Sequence, residues 1–302
     1  MPSLMEMTEV PMINILEKCD YKSVLTLRKV CHSLRNFIDD SCFKMGLDNV
    51  VITIRPTGFS VTCQKSKARW TDSDGFAQDW TPNDLKILLK MAQYSILSCF
   101  TVNASTNNAE GLDDLEHILK NQTRPLQTES FKMEGSEVMK VLPHLDSKTL
   151  TQIDIRTGNN RTANQNLDGF EQFLELEQFR NVVMLDIENS FLVHAELRKF
   201  FHFPSVSVIL HETSLEELVA LKEAFVTSPH MLYFCLYSRG LGEDQLEQVF
   251  GTPFHDPHGG WQQWFFKIQN CKESVLRIEL GSALQFWKLK AKEVPQDAVV
   301  QH

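Results

Sequence analysis

Val10, Met12, Ile13, Ile15, Leu16 and Cys19 place apolar side chains on more than one side of a short segment near the start of the chain. That surface is wider than the single stripe one core requires of a helix. Thr8 stands where an N-cap belongs, Glu9 suits the positive end of the helix dipole, and Pro11 falls in the first turn, where its missing N–H costs nothing. Asp20 breaks this helix. Lys22 to Leu27 predicts a second helix with Val24, Leu25 and Leu27, and Ser33 as a cap predicts a third carrying Leu34, Phe37 and Ile38. Three helices in about forty residues make a marginal unit that leans on a partner.

The period then changes from helical to two. Val50–Ile54 and Phe59–Cys63 are β-branched, alternating runs separated by Arg-Pro-Thr-Gly, which predicts a hairpin. After a polar stretch containing Trp70 and Trp80, Thr81-Pro82-Asn83-Asp84 opens a helix to about Ala92; Ile96–Val102 reads as a strand and Asn103–Gly111 as a polar loop. From there strand-like runs recur at Glu129–Met133, Gln152–Arg156, Val182–Glu188, Val206–Leu210 and Leu232–Tyr237. Helical patterns lie between them at Glu137–Leu145, Asp168–Phe179, Ser190–Phe201 and Leu215–Phe225, with a last one at Glu243–Phe250. Ser214 and Glu217 form a capping box, and Gly251 with Pro253 ends the last helix.

The strand centres Phe131, Ile153, Leu185, Val208 and Phe234 are 22, 32, 23 and 26 residues apart. Leucine-rich repeats fall at ~20–29, and the loop from Arg156 to Asn166 accounts for the long step. A doubly wound sheet is the competing arrangement, but Gly240-Leu-Gly242 stands late in the chain with no third glycine. The expected fold is therefore α/β: three N-terminal helices followed by a leucine-rich-repeat-like βα solenoid with a parallel curved sheet.

Charge sharpens the division. The chain has 302 residues and a net charge of −9. Residues 1–45 carry six basic and six acidic side chains, so the surplus falls on residues 46–302. An acidic chain without a basic patch argues against nucleic acid, and no apolar run is long enough for a membrane span. The first ten residues lack a secretory pattern. Seven cysteines, widely spread and with no C-x-x-C pair, suggest neither disulfides nor zinc, and read as small buried hydrophobes in a reducing compartment, the cytoplasm or nucleus.

The stretch from Met7 to Asp40 resembles an F-box, and its run Leu25–Asp40 is similar to the version found in nematode F-box proteins. Met7 and Thr8 occupy the positions of its opening Leu-Pro, Ile15 and Leu16 its apolar pair, and Leu27, Val30 and Cys31 its L-x-x-V-C. The motif's proline is absent at Thr8, and Pro11 appears three residues later. The resemblance implies docking to the Skp-type adaptor of a cullin–RING ubiquitin ligase, with Met7, Thr8, Ile15, Leu16, Leu25, Leu27 and Val30 as the adaptor-binding residues. The region from Leu112 to about Pro295 resembles the FTH domain that accompanies F-boxes. Its marks are Leu115–Asn121, the Leu-Thr-x-Ile-Asp-Ile strand, and Trp264–Asn270 followed by Val275–Glu279. The expected organisation is F-box 5–45, a β-hairpin and helix lead-in 46–110, an FTH-like repeat domain 111–295 and a tail 296–302.

Chemistry is sparse. No G-x-S-x-G, P-loop or H-E-x-x-H occurs. His255 and His258 lack a matching ligand cluster, so no metal, cofactor or catalytic residue is expected. Asp154 and Asp186 stand at the same point of adjacent repeats, with Arg156 and Glu188 two residues further along the same side of the pleat. On a solenoid these four line the open face, and they are the candidate target-binding residues. The acidic surplus favours a basic partner segment. The expected function is a non-catalytic substrate-recognition subunit of an SCF-type ubiquitin ligase that binds an unidentified target protein. A scaffold that holds a regulatory protein without degrading it is the alternative.

Overall fold

The computed structural model describes residues 7–64, 78–104, 109–157, 165–167, 169–188, 190–238, 242–255 and 261–301. They fall into two compact units, one ending at Thr151 and the other beginning at Gln152.

The first unit opens with three helices, α1 (Glu9–Lys18), α2 (Tyr21–Val30) and α3 (His32–Asp40). Asp20 caps α2 by accepting a 2.7 Å hydrogen bond from the Ser23 N–H. The third helix starts before the expected cap, with the Cys31 sulfur accepting from the Leu34 N–H at 3.5 Å in place of Ser33. Met12, Leu16, Val24, Leu34 and Ile38 form the inner side of the trio. Phe43, Met45 and Leu47 then bury alternate side chains in an extended stretch.

Strand β1 (Asn49–Arg55) pairs antiparallel with β2 (Gly58–Gln64), as the alternation predicts, and β3 (Gln78–Trp80) adds to β2. Helix α4 (Pro82–Ala92) carries a full capping box: Thr81 Oγ1 accepts from the Asp84 N–H and Asp84 accepts from the Thr81 N–H. Then follow β4 (Leu97–Asn103), α5 (Ala109–Lys120) and β5 (Thr128–Glu134), giving the sheet order β3-β2-β1-β4-β5 with β1, β4 and β5 parallel. Helix α5 lies so close to β1 that a Cβ at Gly111 would stand 2.5 Å from Ile54 Cγ2. Of the loop expected at Asn103–Gly111, Ala109–Gly111 are helical and residues 105–108 lie outside the described residues. Trp70 lies outside them too.

The second unit runs β6 (Gln152–Arg156), β7 (Gln165–Asn166), α6 (Phe170–Glu175), α7 (Glu177–Asn181), β8 (Met184–Ile187), β9 (Phe191–Leu192), β10 (Ser205–Leu210), α8 (Leu215–Thr227) and β11 (Tyr233–Ser238). It closes with α9 (Glu243–Phe250), β12 (Phe254–His255), β13 (Gln262–Lys267), β14 (Ser274–Leu280), β15 (Leu284–Lys290) and β16 (Val300–Gln301). The sheet order is β6-β8-β10-β11-β15-β14-β13-β12, with β16 beside β13 and a side ribbon of β7 and β9. Strands β6, β8, β10 and β11 are parallel and follow chain order without the reversal that marks a doubly wound sheet. The class is α/β, with three N-terminal helices ahead of a mostly parallel, mixed sheet.

The sheet departs from the expected all-parallel form after β11. Strands β12 to β15 form an antiparallel meander, and the short link from β14 to β15 dictates this, since a parallel pair needs a long crossover. Three expected helices also change. Glu137–Leu145 becomes two 3₁₀ turns, Val138–Lys140 and Leu142–His144, because Pro143 has no N–H to continue a helix. Ser190–Phe201 becomes β9 and a 3₁₀ turn, Leu197–Phe200, with Phe191 and Val193 buried at a period of two. The pattern at 168–179 splits into α6 and α7 at Leu176, whose backbone is extended. One face of the sheet buries Ile153, Ile155, Leu185, Ile187, Val206, Val208, Phe234 and Leu236.

Candidate adaptor-docking helices and open sheet face

The F-box-like helices expose apolar side chains that the first unit does not cover. Val10 is 68% exposed, Val30 66% and Met7 45%, and Thr8 is also exposed. Ile15, Leu25 and Leu27 are half-buried, whereas Leu16 is 1% exposed and supports the helices from within. Leu16 is thus part of the core, since the helix that presents Ile15 turns the next side chain inward. Val10 is more exposed than Val30 and Met7; its place before Pro11 in the first turn is the signal that it lies beyond the packed stripe.

The trio is held by directional contacts. Arg28 donates two hydrogen bonds to the Asp39 carboxylate, at 2.6 and 2.7 Å, and joins α2 to α3. That pairing raises the Arg28 pKa. Burial raises the Tyr21 phenol to about 12 and the Cys63 thiol to about 12. Cys31, Cys42 and Cys271 are exposed, so the expectation of buried cysteines holds for Cys235 and not for these three.

In the second unit three of the four candidate target-binding residues come together. Asp154 and Asp186 are register partners on β6 and β8. Arg156 bridges them: its Nε donates to Asp154 at 2.7 Å and its Nη2 to Asp186 at 2.9 Å. These hydrogen bonds, foremost that to Asp154, raise the Arg156 pKa. Glu188 turns elsewhere, accepting from the Thr157 N–H at 2.7 Å and from the Thr157 hydroxyl at 3.1 Å.

The register row continues through Ser207 on β10 to Cys235 on β11 and Gln285 on β15. Two residues before it along the strands, a second row runs through Gln152, Met184, Ser205, Tyr233 and Trp287. Met184 is exposed, and Tyr233 stacks on Trp287 with ring centres 6.4 Å apart. Arg277 covers Trp287 at 4.7 Å. This aromatic row was missed from the sequence, where Tyr233 stood inside an apolar strand and Trp287 in an unassigned segment; strand alternation places Tyr233 on the side of Cys235.

Burial is the main cause that pushes the Cys235 thiol up, which keeps it protonated and a poor nucleophile. Tyr233 and Tyr237 are likewise raised, chiefly by burial. Arg156 pairs with both Asp154 and Asp186. Among the described residues no group of three or more His, Cys, Asp or Glu could hold a metal ion. His255 is exposed, and His258 and the Gly240-Leu241 turn lie outside the described residues.

Residues 4–45 match the model of the F-box domain, and residues 110–254 match the model of the FTH domain. No curated protein and no solved structure matches the chain. An F-box implies a role in substrate recognition for SCF-type ubiquitin ligases or in protein interaction, through a Skp-type adaptor and cullin–RING machinery. F-box proteins are generally non-catalytic adaptor subunits, and they are typically cytoplasmic or nuclear. No helix among the described residues is long and apolar enough to cross a membrane. With an F-box followed by an FTH domain, the chain belongs to the F-box plus FTH family.

Proposed function

We propose that the chain is the substrate-recognition subunit of an SCF-type ubiquitin ligase. The exposed apolar side chains on the F-box helices are the observation that carries this reading: Met7, Val10 and Val30 lie open on a segment that matches an adaptor-docking domain. Apolar anchors seated in a partner's groove are the physical mode of such docking. Met7, Thr8, Ile15, Leu25, Leu27 and Val30 contact the adaptor, and Leu16 holds their backbone in place from inside.

The open face of the second unit holds the target around Asp154, Arg156, Asp186 and Glu188. Three carboxylates against one guanidinium favour a segment with basic side chains, and Met184, Tyr233 and Trp287 beside them favour apolar neighbours to those charges. The chain contributes proximity: it raises the effective concentration of target lysines at the ligase and performs no bond chemistry.

Affinity capture with mass spectrometry on three full-length chains tests both halves. The wild type should retain adaptor and target, Ile15→Asp should lose the adaptor alone, and Asp154→Lys with Asp186→Lys should lose the target alone. Capture of the target unchanged by the double lysine variant removes this face from the account. A target held stably without ubiquitin transfer in the reconstituted ligase points to a scaffold.

A further inference from the structure

A cavity of about 220 Å³ opens in the first unit between the end of α3, the extended stretch after it, and α4. Its apolar wall is Ile38, Phe43, Ile87, Met91 and the ring of Tyr94. Its charged lining is Arg28, Lys86 and Lys90 against the single carboxylate of Asp39. That carboxylate is committed to Arg28 through two short hydrogen bonds, so it does not neutralise the lysines. Lys90 donates to the backbone carbonyl of Asp39, an uncharged partner, and Lys86, one helical turn earlier on α4, has no acidic partner among the described residues. Two exposed ammonium groups thus line an apolar cavity with no carboxylate hydrogen-bonded to them among the described residues, although the charge of Asp84 also reaches Arg28.

A space of this size equals about seven times the ~30 Å³ that one water molecule occupies in the liquid. It is below the ~300 Å³ at which pockets for drug-sized ligands begin. We propose that it binds a small amphipathic anion: a carboxylate or phosphate at Lys86 and Lys90, carried on a compact aromatic or aliphatic body that fills the space among Ile38, Ile87 and Met91. Such a ligand fits the charge of the mouth and the apolarity of the wall together, which water or a neutral hydrocarbon does not. Because the F-box helix α3 and helix α4 supply opposite walls, the bound ligand braces one against the other and stabilises the folded chain by mass action. None of the expected adaptor-docking residues lines the site.

The test is fluorine NMR titration of the full-length chain with para-fluorobenzoate, para-fluorophenyl phosphate and neutral para-fluorobenzyl alcohol. Saturable binding of at least one anion is expected, with the alcohol weaker by about tenfold or more from the loss of charge pairing at short range. The tighter of the two anions identifies the head group. Lys86→Glu, at an exposed position on the rim, should weaken anion binding by about tenfold or more, and Ile87→Trp should abolish it by filling the space. Circular dichroism establishes that each variant is folded; should Ile87→Trp fail to fold, Lys86→Glu alone decides. Absence of saturable binding by either anion overturns the proposal, as does equal binding of the neutral alcohol or anion binding unchanged by Lys86→Glu. The last two results describe a generic apolar or water-filled cavity.

Discussion

Replacing Arg156 with alanine removes a guanidinium that bridges two carboxylates facing each other across neighbouring strands. Asp154 and Asp186 are register partners, so their side chains start about 5 Å apart. With the guanidinium 50% exposed, each of its two ion pairs is screened and contributes ~0.2–1 kcal/mol. Once Arg156 is gone, repulsion of two unit charges at about 5 Å adds about 1–1.5 kcal/mol at an effective dielectric constant of ~40–80. The whole change should cost about 1.4–3.5 kcal/mol. Asp186→Asn distinguishes the repulsion from simple loss of contacts. In the wild type it deletes one ion pair and destabilises by ~0.2–1 kcal/mol; in the Arg156→Ala chain it relieves repulsion and should restore about 1 kcal/mol. Urea unfolding of the four full-length chains, followed by circular dichroism and tryptophan fluorescence, measures this double-mutant cycle. The sign reversal should shrink in 1 M salt, where the screening length is about 3 Å. If Asp186→Asn costs the same with and without Arg156, the arginine does not mediate between the carboxylates and the bridging geometry is refuted.

Other consequences are checkable at single positions. Gly281→Ala should lower the melting temperature, because a Cβ there would stand 1.4 Å from the Trp261 ring and would force that exposed ring to swing away; an unchanged melting temperature would show that this tryptophan does not pack on the β14–β15 turn. Ser214→Ala removes the side chain that accepts from the Glu217 N–H at 3.2 Å and should cost about 1 kcal/mol in urea unfolding. Alkylation at neutral pH followed by mass spectrometry should label exposed Cys271 first, since backbone hydrogen bonding at Glu273 lowers its pKa and the thiolate is the reacting form. Cys63 and Cys235, both raised by burial, should remain unlabelled until the chain unfolds, and early modification of Cys235 would contradict its burial.

Elements whose ends carry their own chemistry were legible from the sequence. Helices α4 and α8 start at capping boxes, Thr81 with Asp84 and Ser214 with Glu217, and α9 ends at Gly251, whose φ of 80° suits a residue without a Cβ. The β1–β2 hairpin followed from two β-branched runs on either side of Arg-Pro-Thr-Gly. Illegible parts are those where tertiary packing overrides local pattern. Gln262 to Phe266 are buried at every position, so β13 shows no period to read. In Phe191–Phe200 the apolar spacing fits either a helix or a strand followed by a turn; pairing of β9 with β7 and a bridge from Val193 to Leu210 decide for the latter. Cys31 caps α3 through sulfur, an acceptor outside the usual capping residues.

At the candidate sites, the register of Asp154 with Asp186 was readable because equivalent points of adjacent repeats become neighbours in a parallel sheet. That Arg156 neutralises both, and that Tyr233 and Trp287 stack beside them, depends on rotamers and on the antiparallel return of β15 to β11. On the docking helices, the pattern named an apolar surface but did not separate Leu16, inside, from Val10, outside. That separation depends on the crossing of the three helices.

Isothermal titration of the full-length chain with a purified Skp-type adaptor tests the central claim most directly. A saturable one-to-one complex is expected. Ile15→Asp should abolish it by setting an unpaired carboxylate in an apolar contact, and Val30→Asp, at an exposed position that leaves the fold intact, should weaken it on the order of 2 kcal/mol, the scale of a single hot spot. No complex with the wild-type chain, or an affinity untouched by both substitutions, would contradict the account.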